Sequence, residues 1–134
     1  MPAKRYMLDT NMVSGLIKQH PNIVRKITSI PMEQLCLSAI SEGEILFGLA
    51  KKPQAKNLRR VVEEFLKRVD VLGWDSQVAE RYGKLRADLE LNGVLLGALD
   101  VQIAAHALSE NTILVTNDQA FKRVKQLKIE DWTQ

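Results

Sequence analysis

Short apolar runs that alternate with helical stretches constrain this chain more than any other feature. Arg5-Tyr6-Met7-Leu8, Leu35 to Ser38, Val69 to Leu72 and Ile113-Leu114-Val115-Thr116 read as strands, with Lys128-Ile129-Glu130 as a final edge strand. Helical patterns lie between them. Asn11 to about Lys18 stops at the His20-Pro21 turn, and Asn22 to Ile30 ends at Pro31. Ser41 to about Lys52 follows the second strand. Ala55 to Arg68 carries Leu58, Val61, Val62, Phe65 and Leu66 on one face. Ser76 to Leu91 is amphipathic and ends at Asn92-Gly93. Asp100 to Leu108 is an apolar helix, and Ala120 to Val124 a short one. Strands separated by helices require crossovers, hence a mostly parallel sheet covered by helices on both faces. Ligands in such sheets sit beyond the carboxyl ends of the strands.

The rest of the sequence narrows the class. Its 134 residues suit one domain, residues 1–134, without repeats or linkers. The single cysteine, Cys36, excludes an internal disulfide and a Cys-rich zinc site, and reads as a small buried hydrophobe. The start, Met1-Pro2-Ala3-Lys4-Arg5, leads into only three apolar residues before Asp9, unlike a signal peptide. No apolar run approaches a membrane span, so a cytoplasmic location is the expectation. A net charge of +3 permits a nucleic-acid partner without demonstrating one.

Acids stand where the ligand edge is expected. Asp9 directly follows the first strand, and Glu44 lies near the start of the helix after the second. Asp100 opens an apolar helix after the loop Gly93 to Gly97, and Asp118 lies just beyond the strand 113–116. Each has a bland reading. Asp9, Asn11, Asp100 and Asp118 are all suitable helix N-caps. Ser41-Glu42-Gly43-Glu44 fits a capping box in which Glu44 reaches back to Ser41. The joint pattern favours a site. Carboxylates about 6 Å apart in an effective dielectric near 20 repel by roughly 2–3 kcal/mol per pair, and a divalent cation turns that cost into attraction. An all-oxygen donor set favours magnesium or manganese over zinc. Such a site polarises phosphoryl oxygens and activates water. Other chemistries fit less well. There is no Walker A or Gly-x-Gly-x-x-Gly sequence. His20 precedes a proline, and His106 lies on a different face of its helix from Asp100, so both read as structural. A phosphatase with an aspartyl nucleophile would want a second Asp where Asn11 stands.

Four ordered segments carry a family likeness: Tyr6-Met7-Leu8-Asp9-Thr10-Asn11; Ser38 through Glu44-Ile45-Leu46-Phe47-Gly48; Asp100-x-x-Ile103-Ala104-Ala105-His106-Ala107; and Thr116-Asn117-Asp118-x-x-Phe121. Together they resemble the motifs of PIN-domain ribonucleases, and among these the VapC toxins of bacterial toxin–antitoxin pairs. The resemblance implies a three-layer α/β/α sandwich with a central, mostly parallel sheet of about five strands. It assigns Asp9, Glu44, Asp100 and Asp118 to an acidic site for Mg2+ or Mn2+, with Asp9 and Asp100 as the main ligands. It implies that Asn11, Ser38 and Thr116 orient those acids, with hydroxyl capping as the alternative. Glu42 competes with Glu44, and the Glu44-to-Gly48 spacing favours Glu44. Two departures stand out: Gly97-Ala98-Leu99-Asp100 where relatives often have Gly-Pro-Phe-Asp, and Asn117-Asp118 where many have Asn-Asn. With its Glu130-Asp131-Trp132 tail, the chain looks most like the subgroup that cuts initiator tRNA in the anticodon stem–loop.

Lys51, Lys52, Lys56, Arg59 and Arg60 cluster between two helices, and Lys84 and Arg86 lie on the helix leading to the acidic loop. They read either as a phosphate-tracking rim or as a solvated face. Arg86 is alternatively an anchor for one of the acids. The resemblance further implies a cognate antitoxin and a homodimer. Two other readings stay open: a non-catalytic nucleic-acid-binding subunit with this fold, and a metal-dependent 5′ or flap DNA nuclease.

Overall fold

The computed structural model describes residues 4–134. Met1 to Ala3, part of the segment read above as unlike a signal peptide, lie outside the described residues. Five strands form one sheet: β1 (Tyr6–Leu8), β2 (Leu35–Ser38), β3 (Asp70–Leu72), β4 (Ile113–Val115) and β5 (Ile129–Glu130). Their order is β3-β2-β1-β4-β5, and every pairing is parallel. Six helices accompany them: α1 (Thr10–Ile17), α2 (Pro21–Thr28), α3 (Ala39–Ala50), α4 (Lys56–Arg68), α5 (Ser76–Leu91) and α6 (Ala98–Ser109).

Strand alternation sorts the core into two halves. Met7, Cys36 and Leu114 point to one face and pack with Leu85, Leu89, Val101 and Ala104 of α5 and α6. Leu8, Leu37 and Val115 point to the other face and meet Met12, Ile23, Ile45 and Val62 of α1 to α4. The result is the expected α/β/α sandwich. No described helix is long and apolar enough to cross a membrane.

Several boundaries move, and each shift has a local cause. Helix α1 starts at Thr10 rather than Asn11, because Asp9 itself caps it. Helix α3 starts at Ala39 rather than Ser41, because the Ser38 hydroxyl accepts from the Ile40 amide. The expected Ser41–Glu44 capping box is therefore absent: Ser41 is buried inside the helix, and Glu44 lies in its second turn. Helix α6 starts at Ala98 with Gly97 as its cap, so Asp100 is its third residue and not a cap. The short helix expected over 120–124 is a 3-10 turn over Gln119–Arg123, capped by Asp118. Helix α5 ends as the sequence requires. Gly93 adopts φ +68°, and the Val94 amide bonds back to the Leu89 carbonyl in a Schellman closure.

The C-terminus is fastened to the sheet. Trp132 is buried, its ring lies 5.2 Å from that of Tyr6, and its indole N–H donates to Glu130 Oε1. Removing such a side chain leaves a cavity against β1. Trp132→Ala is expected to cost about 3–5 kcal/mol and to lower the melting temperature by on the order of 10 °C, as read by thermal circular dichroism. A shift within about 2 °C would show that the tail contributes little to the sheet.

Candidate active site

The strand order creates the crevice. Strand β1 is flanked by β2, which follows it in sequence, and by β4, which arrives after the other half of the chain. The order reverses between β1 and β4, and the carboxyl ends there form the opening that ligands use in parallel sheets. Asp9 follows β1, and Asp118 lies three residues past the end of β4. Both are at that opening.

One cleft is lined by Asp9, Thr10, Asn11, Glu44, Asp100, Ile103, Asp118 and Phe121. All four predicted acids are in it, delivered by four separate segments of chain. Glu44 lines the cleft and Glu42 does not.

The capping and site readings of these acids coexist. Asp9 Oδ1 accepts from the Met12 amide at 2.9 Å, and Asp118 Oδ1 accepts from the Ala120 amide at 2.9 Å. Glu44 Oε1 accepts from the Thr10 hydroxyl at 2.8 Å. Each bond occupies one oxygen and fixes the carboxylate plane. Among the described residues, Glu44 Oε2, Asp118 Oδ2 and both oxygens of Asp100 have no hydrogen-bond donor within reach.

The acids sense one another. Burial raises the Asp9 carboxyl above the ordinary carboxylate range. The Thr116 hydroxyl and the Met12 amide pull it back, while Asp118 and Asp100 push it up further. Asp100 is raised by burial, then by Asp118 and Glu44. Negative charge is thus concentrated where the solvent cannot screen it well.

The expected supporting residues divide. Thr116 is buried beside Asp9 and accepts from the Asp118 amide at 3.0 Å, so it touches both acids. Asn11 is exposed and lines the cleft. Ser38 makes no hydrogen bond to an acid, and its hydroxyl lies 2.7 Å from His106 Nδ1. Thr10 was not anticipated as a site residue. Its only sequence signal was its place in the Asp-Thr-Asn tripeptide, because its partner Glu44 lies 34 residues away. His20 caps α2, and His106 is a fully buried core residue.

A groove of about 310 Å³ opens beside the acids and shares Thr10 and Glu44 with the cleft. Lys18, Lys51 and Lys52 lie along it. Lys18 sits at the C-cap of α1 and was missed because nothing local distinguishes it from a capping lysine. Lys56, Arg59 and Arg60 do not line this groove. Arg59 pairs with Glu63 at 4.0 Å, and Arg60 donates to Asn57. Lys84 pairs with Glu80 along α5. Arg86 donates to Tyr82 and Glu90, so the idea that it anchors one of the acids is incorrect.

Against this geometry, the PIN domain family matches residues 6–127. The chain belongs to the PIN-domain family. A tRNA(fMet)-specific endonuclease VapC of Shigella flexneri is 36% identical over 130 residues, covering 96% of this chain and 98% of that protein. Among solved structures, DNA-bound VapBC from Salmonella typhimurium superposes with a TM-score of 0.89 at 35% identity, covering 97% of this chain and 99% of that one. VapBC2 from Rickettsia felis, bound to a DNA fragment from their promoter, superposes with a TM-score of 0.86 at 32% identity, covering 95% and 98%.

The donor set of this PIN domain suits a hard divalent cation, since every candidate ligand is a carboxylate oxygen. Among the described residues, no group of three or more His, Cys, Asp or Glu side chains stands close enough together to hold a metal ion as the carboxylates are placed.

The raised acids set a pH dependence. A carboxyl with a higher pKa folded than unfolded binds extra protons in the folded state. Its stabilising effect is greatest when it is protonated, and is lost as pH rises from about 3.8 through the raised folded value. In chelator, Asp9→Asn is expected to keep the Met12 cap and raise the neutral-pH melting temperature by about 2–4 °C, about 1 kcal/mol. That gain is expected to shrink as the pH is lowered toward 4. A variant less stable than wild type at every pH would show that the buried charge is not costly.

Proposed function

We infer that this chain is the endoribonuclease toxin of a type II toxin–antitoxin pair. In this reading it uses Mg2+ or Mn2+ to cut initiator tRNA in the anticodon stem–loop. The observation that carries the reading is the meeting of Asp9, Glu44, Asp100 and Asp118 in one cleft at the switch point of the sheet. The relative named as a tRNA(fMet)-specific endonuclease supports the substrate, and the VapBC structures support a cognate antitoxin as partner. A homodimer completes the proposed assembly.

Asp9 and Asp100 are proposed to hold the ion, with Glu44 and Asp118 binding it directly or through water. When bound, the ion neutralises the carboxylates, polarises a phosphate oxygen of the substrate and lowers the pKa of a bound water. The chain's part is preorganisation. Met12 and Ala120 amides fix Asp9 and Asp118, and the Thr10 hydroxyl fixes Glu44 before substrate arrives. Thr116 joins Asp9 to the Asp118 backbone, linking the segments after β1 and β4. Lys18, Lys51 and Lys52 place positive charge beside the acids, where an RNA backbone approaching the cleft gains from it. An antitoxin that sets an Arg or Lys against the carboxylates would supply the charge that the ion otherwise supplies.

Cleavage of initiator tRNA by the purified protein tests this reading. Activity in magnesium is expected to fall about 100-fold or more in Asp100→Asn and in excess chelator, with the fold intact by circular dichroism. Undiminished cleavage in chelator would remove the ion from the mechanism. Intact RNA binding with no cleavage by wild type would favour the non-catalytic subunit, and preference for a DNA flap the DNA nuclease.

The groove makes a separate prediction. Lys51→Ala with Lys52→Ala is expected to weaken tRNA binding and reduce its log–log salt slope by about 1–2. Arg59→Ala with Arg60→Ala is expected to change the slope by less than about 0.5. Binding titrations from low to moderate salt measure both, and the opposite ranking would move the RNA path to α4.

A further inference from the structure

The bond between Ser38 and His106 lies outside the cleft yet joins two of the segments that build it. Ser38 is the last residue of β2 and the N-cap of α3, the helix that carries Glu44. His106 lies on α6, the helix that carries Asp100. Both side chains are completely buried, and Ser38 Oγ sits 2.7 Å from His106 Nδ1. The two residues are 68 apart in sequence.

Ser38 Oγ also accepts from the Ile40 amide at 3.1 Å. A hydroxyl carries one proton and two lone pairs, so it serves Nδ1 as donor or as acceptor according to the ring tautomer. Among the described residues, His106 Nε2 is buried with no hydrogen-bond partner, so the bond at Nδ1 is what holds the ring's polar edge. Trp74 packs edge-on against the ring, 5.7 Å between centroids, and limits its rotation. Burial holds His106 below its ordinary pKa against the pull of Glu110 and Asp75, the residues that cap the end of α6 and the start of α5. The neutral ring is the form favoured.

We propose that the Ser38–His106 hydrogen bond is a positioning latch that fixes α3 against α6 and so sets the separation of Glu44 and Asp100 across the cleft. Asp100 feels the charge of Glu44, so the two carboxylates face a common space. Helix α3 packs on α6 directly. Glu44 is six residues from Ser38 on the same rigid helix, and Asp100 six residues from His106 on the other. A slip at the latch is transmitted to both acids, as happens when groups behind metal ligands are removed. The proposal rests on the ion-dependent nuclease reading for its activity readout, and on ion affinity and ring tautomer independently of it.

The experiment uses full-length wild type, His106→Phe, His106→Asn and Ser38→Ala. Nitrogen-15 NMR of the wild-type imidazole is expected to show a single tautomer, held by the bond at Nδ1. Exchange between the two tautomers overturns the latch. His106→Phe keeps a ring in the core and removes the bond to Ser38. It is expected to weaken Mn2+ affinity by calorimetry, and kcat for tRNA cleavage, each by about tenfold or more, with KM within about twofold. His106→Asn restores a hydrogen-bonding group near the Nδ1 position and is expected to recover most of both losses. Lower melting temperature with unchanged ion affinity and kcat in His106→Phe would make the pair mere packing and overturn the proposal. If His106→Phe does not fold, Ser38→Ala gives the decision: it leaves the ring in place, and unchanged ion affinity in it overturns the latch. A wild type that cuts no RNA defeats the ribonuclease reading, while the tautomer and the ion affinities still decide the latch.

Discussion

The central strand β1 runs straight into a buried carboxylate, and the rest of the site is arranged around that fact. The Asp9 amide continues the β1–β4 ladder by donating to the Val115 carbonyl at 3.1 Å. One residue later the chain turns into α1, and Asp9 Oδ1 closes that turn on the Met12 amide. Asp9 therefore cannot move without disturbing both the sheet and a helix. Its burial is costly for a charge, and the Thr116 hydroxyl and the Met12 amide offset part of that cost. A buried charge of this kind raises the energy of the ligand-free fold, and anything that binds the folded carboxylate and supplies positive charge recovers that energy.

Two of the other acids are each held by one hydrogen bond, from a backbone amide to Asp118 and from a hydroxyl to Glu44. Asp118 caps a 3-10 turn, and Glu44 is tied to Thr10, the first residue of the helix that Asp9 caps. Capping occupies Oδ1 of Asp9 and Oδ1 of Asp118. The helices come from both faces of the sheet, α3 from one and α6 from the other. Their lateral spacing has to be fixed where they pass the edge of β2. Ser38 and His106 meet at that place, in a part of the core with no solvent to soften the contact.

Positive charge is distributed less simply than its clustering in sequence suggests. Seven basic residues were candidates for a nucleic-acid rim, and only Lys51 and Lys52 of these reach the groove beside the acids. Lys18, far from them in sequence, joins them there. Arg59, Lys84 and Arg86 instead pair with a glutamate one helical turn away. Such exposed pairs contribute little to stability, and they leave those side chains oriented along their own helices.

The sequence alone determined the strand and helix order, the parallel sheet and the positions of the four acids. These are local properties: apolar periodicity, prolines at 21 and 31, Gly93 after α5, Asp9 and Asp118 just past β1 and β4, and Glu44 and Asp100 in the early turns of α3 and α6. It could not separate Glu44's capping box from its site role. That choice depended on where α3 begins, and Ser38 takes the cap because β2 ends there. Only the tertiary structure decided that Thr10 belongs with Glu44, that Lys18 belongs with Lys51 and Lys52, and that Ser38 serves His106 rather than an acid. Those partners lie tens of residues apart. Hydrophobic patterning specifies which face of an element is buried, but the partner across the interface is set only when the sheet order β3-β2-β1-β4-β5 brings distant crossovers side by side.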